Sequence, residues 1–103
     1  MILYRVEHKI TGLGPYVEFH GFGNGKIRHA CVCLRHICIW FDYQTRRYFH
    51  ELGYVLRAYD IPPEEFWSDI SGLEVVFNWK DGMRPIKEMK LNRHVREENV
   101  NHN

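Results

Sequence analysis

Residues 34–53 read LRHICIWFDYQTRRYFHELG, and the fold class turns on how that stretch divides. Leu34, Ile37, Cys38 and Phe41 recur at helical spacing and form one apolar stripe. After Asp42, Thr45 is expected as the N-cap of a second helix, Arg46 to Leu52, with Tyr48, Phe49 and Leu52 facing inward. Gly53 stands where a left-handed C-cap falls. The stretch therefore predicts two short helices in tandem.

On either side the period changes from that of a helix to that of a strand. Ile2 to Ile10 alternates, with Ile2, Tyr4, Val6, His8 and Ile10 on a buried face and Leu3, Arg5, Glu7 and Lys9 on an outer one. Thr11-Gly-Leu-Gly-Pro15 ends this strand, because Pro15 cannot donate to a ladder. Tyr16 to Lys26, with Gly21, Gly23, Asn24 and Gly25, reads as an exposed loop, and Ile27 to Cys33 as a short strand. Downstream, Tyr54 to Ile61 is rich in strand formers. Pro62 holds Ile61 extended, and Pro63-Glu-Glu suits the first turn of a short helix through Trp67. Leu73 to Trp79 alternates again, Asp81-Gly82 is a hairpin turn, and Met83 to Leu91 is the return strand, confined to an edge by Pro85. The expected fold is α+β: a small, largely antiparallel sheet with two short tandem helices packed on one face and a C-terminal hairpin. Residues 1–91 form the single domain and 92–103 a polar, flexible tail.

Composition narrows the function classes. The chain has 103 residues, a net charge of +1 and 15% aromatic residues, so it lacks the basic excess of a dedicated nucleic-acid binder but carries aromatic surface to spare. Charge is segregated. Lys26, Arg28, Arg35, Arg46, Arg47 and Arg57 face only Asp42 and Glu51 in their stretch, whereas Asp60, Glu64, Glu65, Asp69 and Glu74 follow without a base among them. Such patterning suits steering toward a charged partner or neutralisation within the fold. Trp40 and Tyr43, interleaved with these bases, are the side chains on which a single strand of nucleic acid would stack. The acidic segment opposes that use. Three cysteines crowded between Cys31 and Cys38 do not make a secreted disulfide framework. The early charges of the N-terminus leave no apolar stretch for a signal peptide, and Ile37 to Phe41 falls far short of a membrane span. A cytoplasmic protein is expected.

Two reactive clusters stand out. His29, Cys31, Cys33, His36 and Cys38 are ligand types for zinc, but their spacing matches no common knuckle, and buried cysteine behaves as a small hydrophobe. They read as core, with no metal or other cofactor. A Cys-His nucleophile from Cys33 or Cys38 with His36 or His50 lacks a third orienting group. Gly21-Phe-Gly-Asn-Gly25 lacks the Gly-Lys-Ser/Thr ending of a phosphate loop.

Tyr4-Arg5-Val6-Glu7, Thr11-Gly12, Gly14-Pro15-Tyr16, Trp40-Phe41, Leu52-Gly53-Tyr54, Tyr59 and Val76-Phe77 together resemble a group of small phage and prophage proteins. The resemblance covers most of the chain up to the hairpin. It departs at Cys31-Val-Cys-Leu-Arg35, where the group has Gly-Phe and Ser before the first helix. It implies a phage origin and, by association with small phage accessory proteins such as anti-CRISPRs, a non-enzymatic protein. Such a protein binds and blocks a host protein or nucleoprotein defence complex in the bacterial cytoplasm. The residues expected to meet that partner are Tyr16, Phe19, His20 and Phe22 in the loop and Arg35, Arg46 and Arg47 on the helices. An alternative rests on Arg5 and Glu74, which resemble the arginine and glutamate of small ADP-ribosyltransferase-like sheets, although the hydroxyl-bearing middle motif is missing. That resemblance implies nucleotide binding, with Arg5 gripping phosphate or ribose and Glu74 stabilising an oxocarbenium-like centre. The competing reading pairs Arg5 and Glu7 across strands with Glu74 or Arg57. A small structural zinc protein is the third possibility.

Overall fold

The structure, a computed structural model, describes residues 1–15, 27–68 and 74–91. The loop expected at Tyr16–Lys26 and the tail at 92–103 lie outside the described residues. In chain order the elements are β1 (Ile2–His8), β2 (Ile27–Cys31), α1 (Leu34–Trp40), α2 (Tyr43–Glu51), β3 (Tyr54–Asp60), a 3-10 turn (Pro63–Glu65), β4 (Phe66–Ser68), β5 (Glu74–Asn78) and β6 (Lys87–Met89). The strands form one sheet in the order β4-β5-β2-β1-β3-β6, with every neighbour antiparallel. Both helices pack on one face of it, α1 over β1 and β2 and α2 over β3. The fold is therefore the α+β sheet with a tandem helix pair that the sequence predicts.

Register assigns the side chains to faces. Opposed residues of an antiparallel pair share a face, and β1 runs against β3 without interruption from Ile2↔Asp60 to His8↔Tyr54. Val6, Leu56 and Cys31 therefore meet Ile37 and Phe41 of the helix layer, together with Leu91. The Phe49 ring is held between Phe41 and Tyr54, with centroids 5.9 and 5.4 Å away. On the opposite face Leu3, Ala30, Tyr59, Val75 and Phe77 form a second apolar cluster with Ile61. The expectation of one buried face on β1 is thus corrected: Leu3, Arg5 and Glu7 are as buried as Val6.

The reason lies in the chain's course after β5. The predicted C-terminal hairpin pairing does not form. β5 pairs with β2 and β4, whereas β6 pairs with β3 at the far edge of the sheet. The connection crosses the face opposite the helices, with Trp79 set edge-on against Tyr59 at 5.6 Å and Met83 packed into the second cluster. A tight Asp81-Gly82 turn is present, with Gly82 at φ 87° and the Met83 amide donating to the Lys80 carbonyl at 3.1 Å. It redirects the strap instead of joining adjacent strands. Trp79 and Met83 are partly buried against the second cluster by this route. Pro85 does precede an edge strand, as expected, and the Ile86 amide, donating to the Ala58 carbonyl at 2.8 Å, starts that pairing.

Two local expectations also change. Pro63–Glu65 makes a single 3-10 turn, after which Phe66–Ser68 joins the sheet as β4 rather than continuing a helix through Trp67. The N-cap of α2 is Asp42, not Thr45: the Asp42 carboxylate accepts from the Thr45 amide at 2.8 Å. That backbone hydrogen bond, aided by the Thr45 hydroxyl, holds the Asp42 carboxyl below its ordinary pKa. Arg46 is the residue of α2 that is buried against the fold. Successive helical residues turn by about 100°, so Tyr48 then faces out. Leu52, just past the last helical residue, is also exposed. Gly53 does adopt the left-handed conformation, φ 97°, as its position predicts.

Candidate functional site

The chemistry-bearing side chains fall into a buried ionic network and an exposed helix face. In the network, register sets Arg5 directly opposite Arg57 on the face away from the helices, an arrangement that is unfavourable for like charges alone. Glu7, fully buried, lies between them. One carboxylate oxygen accepts from Arg5 Nε at 2.8 Å, and the other accepts from Arg57 Nη1 at 3.1 Å and from the Tyr59 hydroxyl. The remaining guanidinium nitrogens are also used. Arg5 donates to the carbonyls of His29 (2.8 Å) and Gly12 (3.0 Å), and Arg57 donates to Glu88 (3.0 Å) and to the Lys9 carbonyl (3.2 Å). Burial, and then the bond to Glu7, push the Tyr59 phenol above its usual pKa. A buried charge is tolerated when it is paired and its hydrogen-bonding capacity is filled, and this one is. The network ties β1 to β2, β3, β6 and the Gly12 turn.

This geometry separates the predicted nucleotide pair. Tyr4 opposes Cys31 and Cys31 opposes Glu74, so Glu74 shares the helix-side face with Tyr4, while Arg5 projects to the other. Glu74 instead pairs with His29, Nδ1 to Oε1 at 2.8 Å. Arg5 has all three nitrogens engaged by protein groups, so it offers no grip on a phosphate or ribose. The cross-strand partner of Glu7 is Arg57, as the competing reading had it, although the face is buried rather than outer. Cys31 is buried in the helix-side core with Cys38 packed against it, and Cys33 is partly exposed at the head of α1. None of the three is in a disulfide, and among the described residues no cluster of three metal-ligating side chains occurs.

Of the residues expected to meet a partner, Tyr16, Phe19, His20 and Phe22 lie outside the described residues. Arg35 and Arg47 are exposed on α1 and α2. Arg46 is not: it is buried and donates from Nη1 to the Phe41 carbonyl at 2.7 Å, capping the end of α1. The expectation that all three arginines meet a partner is corrected accordingly, and the exposed Arg35 and Arg47 are matched in number by exposed Asp42 and Glu51 along the helix pair. Large apolar groups stand there as well: Ile39, Trp40, Tyr43, Tyr48 and Leu52 are all exposed. Trp40 and Tyr43 were legible as surface aromatics. Tyr48 and Leu52 were not, because their apolar character marks them for the core while Arg46, on the opposite side of the helix from Tyr48, takes the buried position.

No family model, no curated protein and no solved structure matches this chain.

Proposed function

We propose that this chain is a non-enzymatic binding protein of the phage accessory type, acting by occupying a protein surface of its bacterial host within a defence complex. The observation that supports it best is the division of labour between the two sets of side chains. The buried charges Arg5, Glu7 and Arg46 are engaged inside the fold, whereas Ile39, Trp40, Tyr43, Tyr48 and Leu52, in α1 and α2 and just after them, are exposed. Exposed apolar groups of this size, grouped on one layer, mark an interaction surface. Trp and Tyr are the residues that most often carry binding energy. Charge balance on the face favours a protein partner over nucleic acid, whose phosphates demand a surplus of cations. The phage setting rests on the resemblance of the Tyr4–Glu7 and Thr11–Tyr16 motifs, and the docking surface on the helix face.

Plating efficiency of phage on bacteria carrying defined defence systems, CRISPR among them, tests the reading. Expression of the chain should raise plating on at least one such host, and Trp40→Ala should abolish the rise while the protein remains folded. Unchanged plating on every host, or full activity of the variant, would refute it.

A further inference from the structure

The outer face of the helix pair also suits an occupant whose chemistry is known completely, a copy of the chain itself. We infer that, with no target present, two copies of this chain associate through the exposed faces of α1 and α2; the inference rests on the reading of that face as an interface. Exposure there runs from 45% for Trp40 to 63% for Ile39, with Tyr43, Tyr48 and Leu52 between. A large side chain presents roughly 150–250 Å² in full, so five at about half exposure offer on the order of 500 Å². The stems of Gln44 and Arg47 beside them extend this toward the roughly 800 Å² per partner of a standard interface.

Charge decides between self-association and repulsion. A face of one sign repels its copy, whereas this one carries two arginines, Arg35 and Arg47, and two carboxylates, Asp42 and Glu51. Burial of Arg46 beneath the face is what brings the count to balance. Neither Arg35 nor Arg47 has an ion-pair partner within its own chain among the described residues. In a two-fold contact the same patch meets itself, so each arginine of one copy faces a surface that holds carboxylates. The other exposed apolar groups lie off the helices: Met1 at the head of β1, Ile10 and Leu13 on the turn after it, and Trp67 on β4 and Ile86 beside β6 at opposite edges of the sheet. Self-association of this kind shields the apolar face until a tighter partner displaces the copy.

Sedimentation equilibrium of the full chain in reductant, from low micromolar to submillimolar concentration, tests this. The expected result is a reversible monomer–dimer equilibrium that added salt weakens but does not abolish, because salt screens the arginine–carboxylate contacts and leaves the apolar contact in place. Tyr48→Glu on α2 and Ile39→Glu on α1 should each weaken the dimer about 30-fold or more, the effect of losing a central anchor. Circular dichroism checks that both variants fold, and Ile86→Lys should leave the dimer intact. A monomer at every concentration overturns the inference, the face then belonging to a foreign partner or another segment of the chain. A dimer insensitive to both substitutions overturns it equally. Because the measurement uses only the purified chain, its failure leaves the plating result standing. Lost plating activity alongside an intact dimer would remove the proposed target and not the self-association.

Discussion

Replacing Glu7 by Gln keeps the side chain's shape and removes its charge, which makes it a direct probe of the ionic network. The carboxylate is fully buried and accepts from Arg5 Nε, Arg57 Nη1 and the Tyr59 hydroxyl. In Gln one of the two accepting oxygens becomes an amide that donates, so a donor faces a donor on one side. Arg5 and Arg57, opposed across β1 and β3, also lose the negative charge between them. Breaking a buried pair in this way costs about 3–5 kcal/mol, against a total of roughly 5–15 kcal/mol for a domain of this size. Equilibrium unfolding in urea, followed by tryptophan fluorescence, reads the loss directly, and Trp79 against Tyr59 reports from beside the network. The midpoint should fall by on the order of 2 M with the slope unchanged. Tyr59→Phe, which withdraws one donor but leaves both arginines on the carboxylate, should cost about 1–2 kcal/mol. A Glu7→Gln midpoint within about 0.5 M of wild type, or a larger loss from Tyr59→Phe, would refute the account of Glu7 as the group that makes Arg5 and Arg57 compatible.

Three further outcomes follow from the same structure. Arg46→Ala should destabilise by about 2–3 kcal/mol, since it removes the buried Nη1 hydrogen bond to the Phe41 carbonyl. Arg47→Ala, one residue on but exposed, should stay within about 0.5 kcal/mol in thermal melts at low protein concentration. Gly53→Ala should lower stability more than Gly82→Ala. Both sit at positive φ, but a Cβ at Gly53 comes within 2.9 Å of His8 Nε2, whereas one at Gly82 meets nothing within 4 Å. His8 cannot easily retreat, because its Nδ1 accepts from the Ile10 amide and its ring is edge-on to Tyr54. Stability should also decline in alkali above pH ~10, the ordinary phenol pKa. The native state keeps the raised Tyr59 phenol protonated while the unfolded chain releases that proton, so its contribution is whole below pH ~10 and lost as pH rises through the folded value. Tyr59→Phe should flatten this part of the pH–stability curve, as read from melting temperatures.

The elements themselves were legible in the residues, because local chemistry specifies them. Alternation wrote β1 and β5, strand-forming residues wrote β3, the stripe Leu34-Ile37-Cys38-Phe41 wrote α1, and Gly53 marked the end of α2 through a backbone conformation that a side chain resists. Local chemistry also misled where two caps competed. Asp42 and Thr45 are both good N-caps, and the sheet, not the cap, decides which side of α2 is buried, with Arg46 in the core and Tyr48 at the surface. Partnership between strands was beyond local reading. An Asp-Gly turn predicts a hairpin, but the apolar side chains of Trp79 and Met83 bury more surface by crossing the sheet, and that gain exists only once Leu3, Tyr59 and Phe77 have been assembled from three separate strands.

The ionic network follows the same rule. Arg5 and Glu7 show in the sequence as an exposed, polar alternation, and nothing within β1 says otherwise. Arg57, Tyr59 and Glu88 reach them only through the β1–β3–β6 register, which turns an outer face into a buried and fully paired one. The sequence alone therefore determined the α+β class, the helix pair and the strand alternation, all of which depend on neighbours a few residues apart. Tertiary structure decided which charges are spent inside the fold and which apolar groups remain in water, because burial is a property of the assembled sheet and not of any segment.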